Sequence, residues 1–170
     1  MARSRFVSFA TLGLVALLCA ACSNASTARA VYTDPGGAWQ VEFPGKVTVE
    51  HTAADVVVYS ARYGRDYYGV VDATVAPGRT PNLDDDANNA INSSRDALGA
   101  IATDRVITHT TLDGNEARSF TASLVNGKDS STITGLVVAH GGHVVSAIIT
   151  DGLSNSASDV KQFIASFVLH

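Results

Sequence analysis

The sequence predicts an α+β domain in which a mostly antiparallel sheet lies between two helices, one on each face. Three observations carry that expectation. Short β-patterned runs are separated by turn dipeptides, among them Asp113-Gly114, Asn126-Gly127 and Gly141-Gly142, which are hairpin signals. Two segments change to helical period. Two late runs, Leu136–Ala139 and Val144–Ile149, are apolar on both faces. A sheet with one wet face would alternate there, so these strands are expected to be central and covered on both sides.

The elements follow in order. Ala38–Phe43 reads as an aromatic-bearing strand stopped by Pro44-Gly45, and Val47–His51 as a weaker one. Val56–Tyr63 and Tyr67–Ala76 read as a hairpin around Gly64-Arg65-Asp66. From Leu83, apolar residues recur at Ala87, Ala90, Ile91 and Leu98, which is helical spacing. Asp84, Asp85 and Asp86 fall in the first turn of that helix, where carboxylates complement the positive end of its dipole. Arg105–Leu112, Asn115–Val125, Ser130–Ala139 and Val144–Thr150 form a meander of four antiparallel strands. Of these, Arg118–Leu124 alternates more cleanly, with Phe120, Ala122 and Leu124 on one face, and is expected nearer an edge or an open patch. Val160, Phe163, Ile164 and Phe167 form an i, i+3, i+4, i+7 stripe on a closing helix, which Ser156 or Ser158 would cap.

The amino-terminal segment reads as an export signal. Arg3 and Arg5 precede an apolar run from Phe6 to Ala21 that is short for a membrane span. Ala20-Ala21-Cys22-Ser23-Asn24 resembles a bacterial lipobox, which makes Cys22 the expected lipid-bearing first residue of the mature protein. Cys19 stands where a branched aliphatic is usual, and ordinary cleavage after Ala30 is the alternative. The expected organisation is a signal over 1–21, a lipidated Cys and polar tether over 22–34, and one domain over 35–170. The expected location is the outer side of a cell membrane. Two acyl chains on Cys22 would hold the protein there stably.

Loss of Arg3 and Arg5 with the signal leaves ten basic against 16 acidic residues, a formal charge of −6. An acidic balance argues against nucleic acid as a partner. Both cysteines, Cys19 and Cys22, lie in the signal region, so the domain has no disulfide and no thiol nucleophile.

Chemistry-bearing patterns are few. The sequence contains no Gly-x-Ser-x-Gly, His-Glu-x-x-His, P-loop or Gly-x-Gly-x-x-Gly. His140 and His143 flank Gly141-Gly142 and would project from one face of a hairpin tip, where they could seat a metal ion. His109 is the one candidate to complete such a site, and a solvated hairpin tip is the alternative. Tyr59, Tyr63, Tyr67 and Tyr68 cluster on one hairpin with Arg62 and Arg65 between them. Tyrosine and arginine anchor many interfaces, which makes Tyr63, Arg65, Tyr67 and Tyr68 the candidate binding residues.

The order of strands, helix, four-strand meander and closing helix resembles the PsbP-like fold. Gly37-Ala38-Trp39-Gln40-Val41-Glu42-Phe43-Pro44-Gly45 is similar to the opening strand of such domains. His140-Gly141-Gly142-His143-Val144-Val145 is similar to their late hairpin, and Phe163-Ile164-Ala165-Ser166-Phe167 to their terminal helix. Mycobacterial lipoproteins of the LpqN type are similar in plan. These are packing and turn motifs, and the resemblance implies a binding, assembly or accessory role rather than catalysis; no cofactor is expected. The expectation is therefore a lipid-anchored envelope module serving a protein partner or a small apolar ligand. A metal carrier and a hydrolase with an unrecognised site are the alternatives.

Overall fold

The computed structural model describes residues 29–151 and 157–170. The signal, Cys22 and Ser156 lie outside the described residues. Ten strands and two helices follow in the order β1 (Arg29–Thr33), β2 (Trp39–Pro44), β3 (Thr48–Ala53), β4 (Val56–Tyr63), β5 (Asp66–Thr74), α1 (Leu83–Leu98), β6 (Ile101–Leu112), β7 (Asn115–Asn126), β8 (Asp129–His140), β9 (His143–Asp151), α2 (Ala157–Ala165) and β10 (Val168–Leu169).

The main sheet has the order β3-β4-β5-β9-β8-β7-β6, with every pair antiparallel. The doubly apolar β9 stands at its centre beside β8, and the alternating β7 lies one strand from the edge, as expected from their patterns. Gly141 and Gly142 turn the β8–β9 hairpin with φ of 58° and 84°, a left-handed backbone that suits glycine. Helix α1 begins because the Asn82 side chain accepts hydrogen bonds from the Asp84 and Asp85 amides. It ends because Gly99 turns left-handed and closes its N–H on Asp96 O.

Each face of the main sheet has its own core. On one, Leu83, Ala87 and Ile91 of α1 pack on Phe120, Leu124, Ile133 and Val137. On the other, Trp39, Val41 and Phe43 of β2 meet Tyr59, Tyr68, Val70, Val145 and Ile149, with Phe163 and Phe167 wedged between. The rings of Trp39 and Tyr59 lie edge to face at 4.9 Å, and Tyr68 meets Phe163 likewise at 5.2 Å.

Two expectations are corrected here. A helix does not cover the second face alone: a three-stranded sheet, β1-β2-β10, lies over it together with the short α2. A nine-residue helix cannot span seven strands, and the aromatic β2 supplies the missing cover. Nor do residues 29–33 belong to a tether. They form β1, which pairs along β2 from Arg29↔Pro44 to Thr33↔Gln40. Arg29 also pairs with Asp159 of α2 at 3.1 Å, so the domain starts before residue 35.

Candidate functional site

The two covers are offset. Helix α1 packs on β6, β7, β8 and β9, while α2 packs on β2, β8 and β9. On the α1 side, β4 and β5 are therefore left without a lid, and a groove of about 920 Å³ runs between them and the helix. That volume lies in the range of small-molecule sites.

The floor of the groove is mostly apolar, with Ser146 and Thr150 of β9 its polar positions. Val58 of β4, Val71 and Ala73 of β5, and Val144 and Ile148 of β9 line it, all from one parity of their strands. The helical wall is small and polar, with Asn89, Ala90, Ser93 and Ala97. Apart from Leu98 in its last turn, the residues that α1 turns to the groove are short or polar, which keeps the groove from closing.

The ends differ. At one, Tyr67 stands opposite Thr150 in the ladder, and Arg62 and Arg65 join it. A Cβ on Gly69 would come within 2.8 Å of the Tyr67 ring, so the ring lies back over this glycine and becomes part of the floor. The Arg62 guanidinium sits 5.6 Å from the Tyr67 ring centre, a cation–π contact. The Tyr67 hydroxyl shares a hydrogen bond with Ser60, and burial pushes its pKa above the ordinary phenol value. At the other end Arg79 shares the lining with Asp55, Asp85 and Asp86. Burial, with Asp85 nearby, raises the Asp86 pKa.

The candidate tyrosines do not form one surface. Tyr68 is 1% exposed and belongs to the core under α2, so its expected binding role is withdrawn. Tyr63 is exposed, and Arg65 lies at the hairpin tip beside the groove. Only Tyr67 and Arg65 of the four reach the groove. Arg62 was grouped with them by sequence, whereas Arg79 and the α1 wall carried no signal, since they approach β4 and β5 only through tertiary packing.

The histidines have other partners. His140 and His143 pair across the tip of the β8–β9 hairpin. His140 contacts Asn115 Oδ1 through Nδ1 at 3.3 Å and His170 O through Nε2 at 3.0 Å. His143 Nδ1 lies 2.7 Å from Asp72 Oδ1, while Trp39 Nε1 donates to Asp72 Oδ2 at 3.0 Å. Asp72 thus joins the small sheet to the hairpin tip. Among the described residues, no group of three or more His, Cys, Asp or Glu side chains is placed to hold a metal ion. His109 sits elsewhere, within electrostatic reach of Asp84. Asp84 pairs with Arg118 at 2.9 Å, which gives the acidic first turn a structural partner.

A second, shallower cleft of about 510 Å³ lies beside α2, between Val160 and Ile164 and the hydroxyl-bearing Thr108, Ser119, Thr121 and Thr134 of the main sheet. No helix among the described residues is long and apolar enough to cross a membrane.

No protein-family model matches the sequence, and no curated protein is significantly similar to it. Solved structures are similar. The solution structure of cyanobacterial PsbP from Synechocystis superposes with a TM-score of 0.58 at 13% identity, covering 89% of this chain and 99% of that one. A Pseudomonas aeruginosa protein of unknown function, described as a putative regulator, matches more loosely, with a TM-score of 0.38 at 13% identity over 78% of this chain and 86% of that one. With its antiparallel sheets and two helices, the chain has the PsbP-like fold.

Proposed function

We propose that this protein is a lipid-anchored module of the cell envelope that binds a small apolar ligand and catalyses no reaction. The groove between α1 and the β4–β5 face carries this reading: it is large enough for a ligand, floored by aliphatic side chains and walled by small ones. Left in water, Val58 and Val71 forgo part of the roughly 1.5–3 kcal/mol that a fully buried aliphatic gains. A bound apolar molecule would supply that burial. The lipobox-like segment around Cys22 and the apolar run before it support the envelope location.

The test has two parts. Nile red, a neutral apolar dye, should brighten on the protein and be excluded by Ala90→Trp, which fills the groove from its helical wall. Growth with an alkynyl fatty acid should label the protein, and Cys22→Ser should abolish the label. Dye binding that survives Ala90→Trp would remove the groove from the proposal, and labelling that survives Cys22→Ser would remove the anchor.

A further inference from the structure

The arginines divide in a way that core packing does not explain. Arg29 pairs with Asp159, Arg95 with Asp96, and Arg118 with Asp84 and Glu116, while Arg105 donates to Asn88 and Asn92. Arg62, Arg65 and Arg79 have no carboxylate partner within 4.0 Å among the described residues, and all three line the groove. In a chain with an excess of acidic residues, cations left without partners around one concavity are a charge pattern that wants an anion.

The ends of the groove settle where that anion sits. Arg79 shares its end with Asp55, Asp85 and Asp86, so its charge is offset there. The end at Arg62 and Arg65 has no acidic residue in its lining, although Glu50 on β3 lies within electrostatic reach of Tyr67. Arg62 is held over the Tyr67 ring, which limits the freedom it must give up on binding. Between the ends, Val58, Val71, Ile148 and Val144 lie along strands. The run from Tyr67 to Ala73 spans roughly 20 Å at strand rise, the length of a long acyl chain.

Resting on the apolar-ligand reading, we propose that the ligand is a single-chain amphiphile with an anionic head. The head lies against Arg62 and Arg65, and the chain runs over Tyr67 and the valine floor toward Val144. Hexadecanoate and hexadecanol share a sixteen-carbon chain and differ only at the head, a carboxylate against a neutral hydroxyl, so together they separate this inference from the reading beneath it. With each at submicellar concentration, displacement of Nile red from the purified protein should show hexadecanoate binding at least about tenfold more tightly, a gap of about 1.4 kcal/mol. Arg62→Gln/Arg65→Gln should erase that preference by weakening hexadecanoate far more than hexadecanol, and Arg79→Gln should keep it.

Equal affinity for the two probes would overturn the anionic head and leave an apolar site standing. A preference lost in Arg79→Gln but kept in the double variant would overturn the assignment of ends. Tighter binding of dodecyl maltoside, with its neutral sugar head, than of hexadecanoate would overturn the charge argument. Failure of every probe to bind would overturn both the inference and the reading it rests on.

Discussion

The same substitution at two glycines should have opposite consequences, because their neighbours differ in what they can yield. A Cβ on Gly135, in β8 between β7 and β9, would overlap Phe120 Cζ and lie 2.8 Å from Ala147 O. Phe120 is buried in the α1 core, and the carbonyl belongs to the central strand, so neither can withdraw. Overpacking of this kind costs about 1–3 kcal/mol, against about 0.4–1 kcal/mol gained by restricting the unfolded chain. Gly135→Ala should therefore lose about 1.3 kcal/mol net, lowering Tm by about 3–5 °C for a chain of this size. On Gly69 the Cβ meets only the Tyr67 ring, the end of a side chain that can swing. Lifting that ring forfeits the Ser60 hydrogen bond, about 1 kcal/mol, so Gly69→Ala should stay within about 1 kcal/mol of the parent. The displaced ring then occupies the groove, and Nile red affinity should fall for Gly69→Ala but not for Gly135→Ala. Urea unfolding followed through Trp39, the single tryptophan, measures the first quantity, and dye titration the second. A Gly135→Ala protein as stable as the parent, or less dye lost at Gly69 than at Gly135, would refute the reasoning.

Three further outcomes follow from the framework of the domain. Trp39→Phe removes a donor from the buried Asp72 carboxylate and should cost about 1.5–3 kcal/mol for that bond alone; in an Asp72→Asn background the same change should cost measurably less, and an equal cost in urea unfolding would deny the coupling. Asn82→Ala removes the side chain that caps α1 and should lower stability by about 1 kcal/mol, with a fall in helical circular dichroism confined to thermal pre-transition if the helix frays. The hydrogen bond from Arg118, with its charge, holds the Asp84 carboxyl below its ordinary 3.8, so the folded state carries fewer protons than the unfolded state between those two values. That stabilisation is complete above the ordinary value and is lost as pH falls through the lowered one. Asp84→Asn should therefore be less stable than the parent at pH 7, and the difference should close in acid; a gap independent of pH would mean the pair contributes nothing through its charge.

Most strands and both helices were legible because each is a change of period or a turn dipeptide within a few residues. The three-stranded sheet was not. Arg29–Thr33 is short, half polar and sits in a tract that reads as linker, and Val168–Leu169 is two residues long; both are strands only because β2 offers its edges. The tyrosine hairpin failed for a smaller reason. Reading Gly64-Arg65-Asp66 as a three-residue turn sets Tyr63 opposite Tyr67 and puts Tyr59, Tyr63 and Tyr67 on one face, with Tyr68 on the other. The ladder pairs Tyr63 with Asp66, so the loop is Gly64-Arg65, with Gly64 at φ 61° in the place a two-residue turn wants glycine. One residue of register moves a side chain to the opposite face. Tyr59 and Tyr68 thereby enter the core beneath the small sheet, and Tyr67 goes to the groove with Arg62. The groove itself has no local signature. It exists because α1 lies over β6 to β9 and leaves β4 and β5 bare, and that offset is a property of packing rather than of any short segment.

An uncovered aliphatic floor is stability the fold has not used, which makes a bound ligand measurable through the fold. Val56, Val58 and Val71 are half-buried, while Val70 on the opposite face of the same hairpin is fully buried under the small sheet. A ligand that binds only the folded protein stabilises it by about 2.7 kcal/mol at one hundred times its dissociation constant. For a chain of this length that is a rise in Tm of about 5–10 °C. Hexadecanoate should produce the shift in the parent protein. Ala90→Trp should remove the shift and raise the Tm of the free protein, because the indole fills the space that the ligand would and buries the same valines. If Ala90→Trp instead lowers the Tm without ligand, the groove is too tightly walled to admit an indole, and the volume ascribed to it cannot hold an acyl chain either.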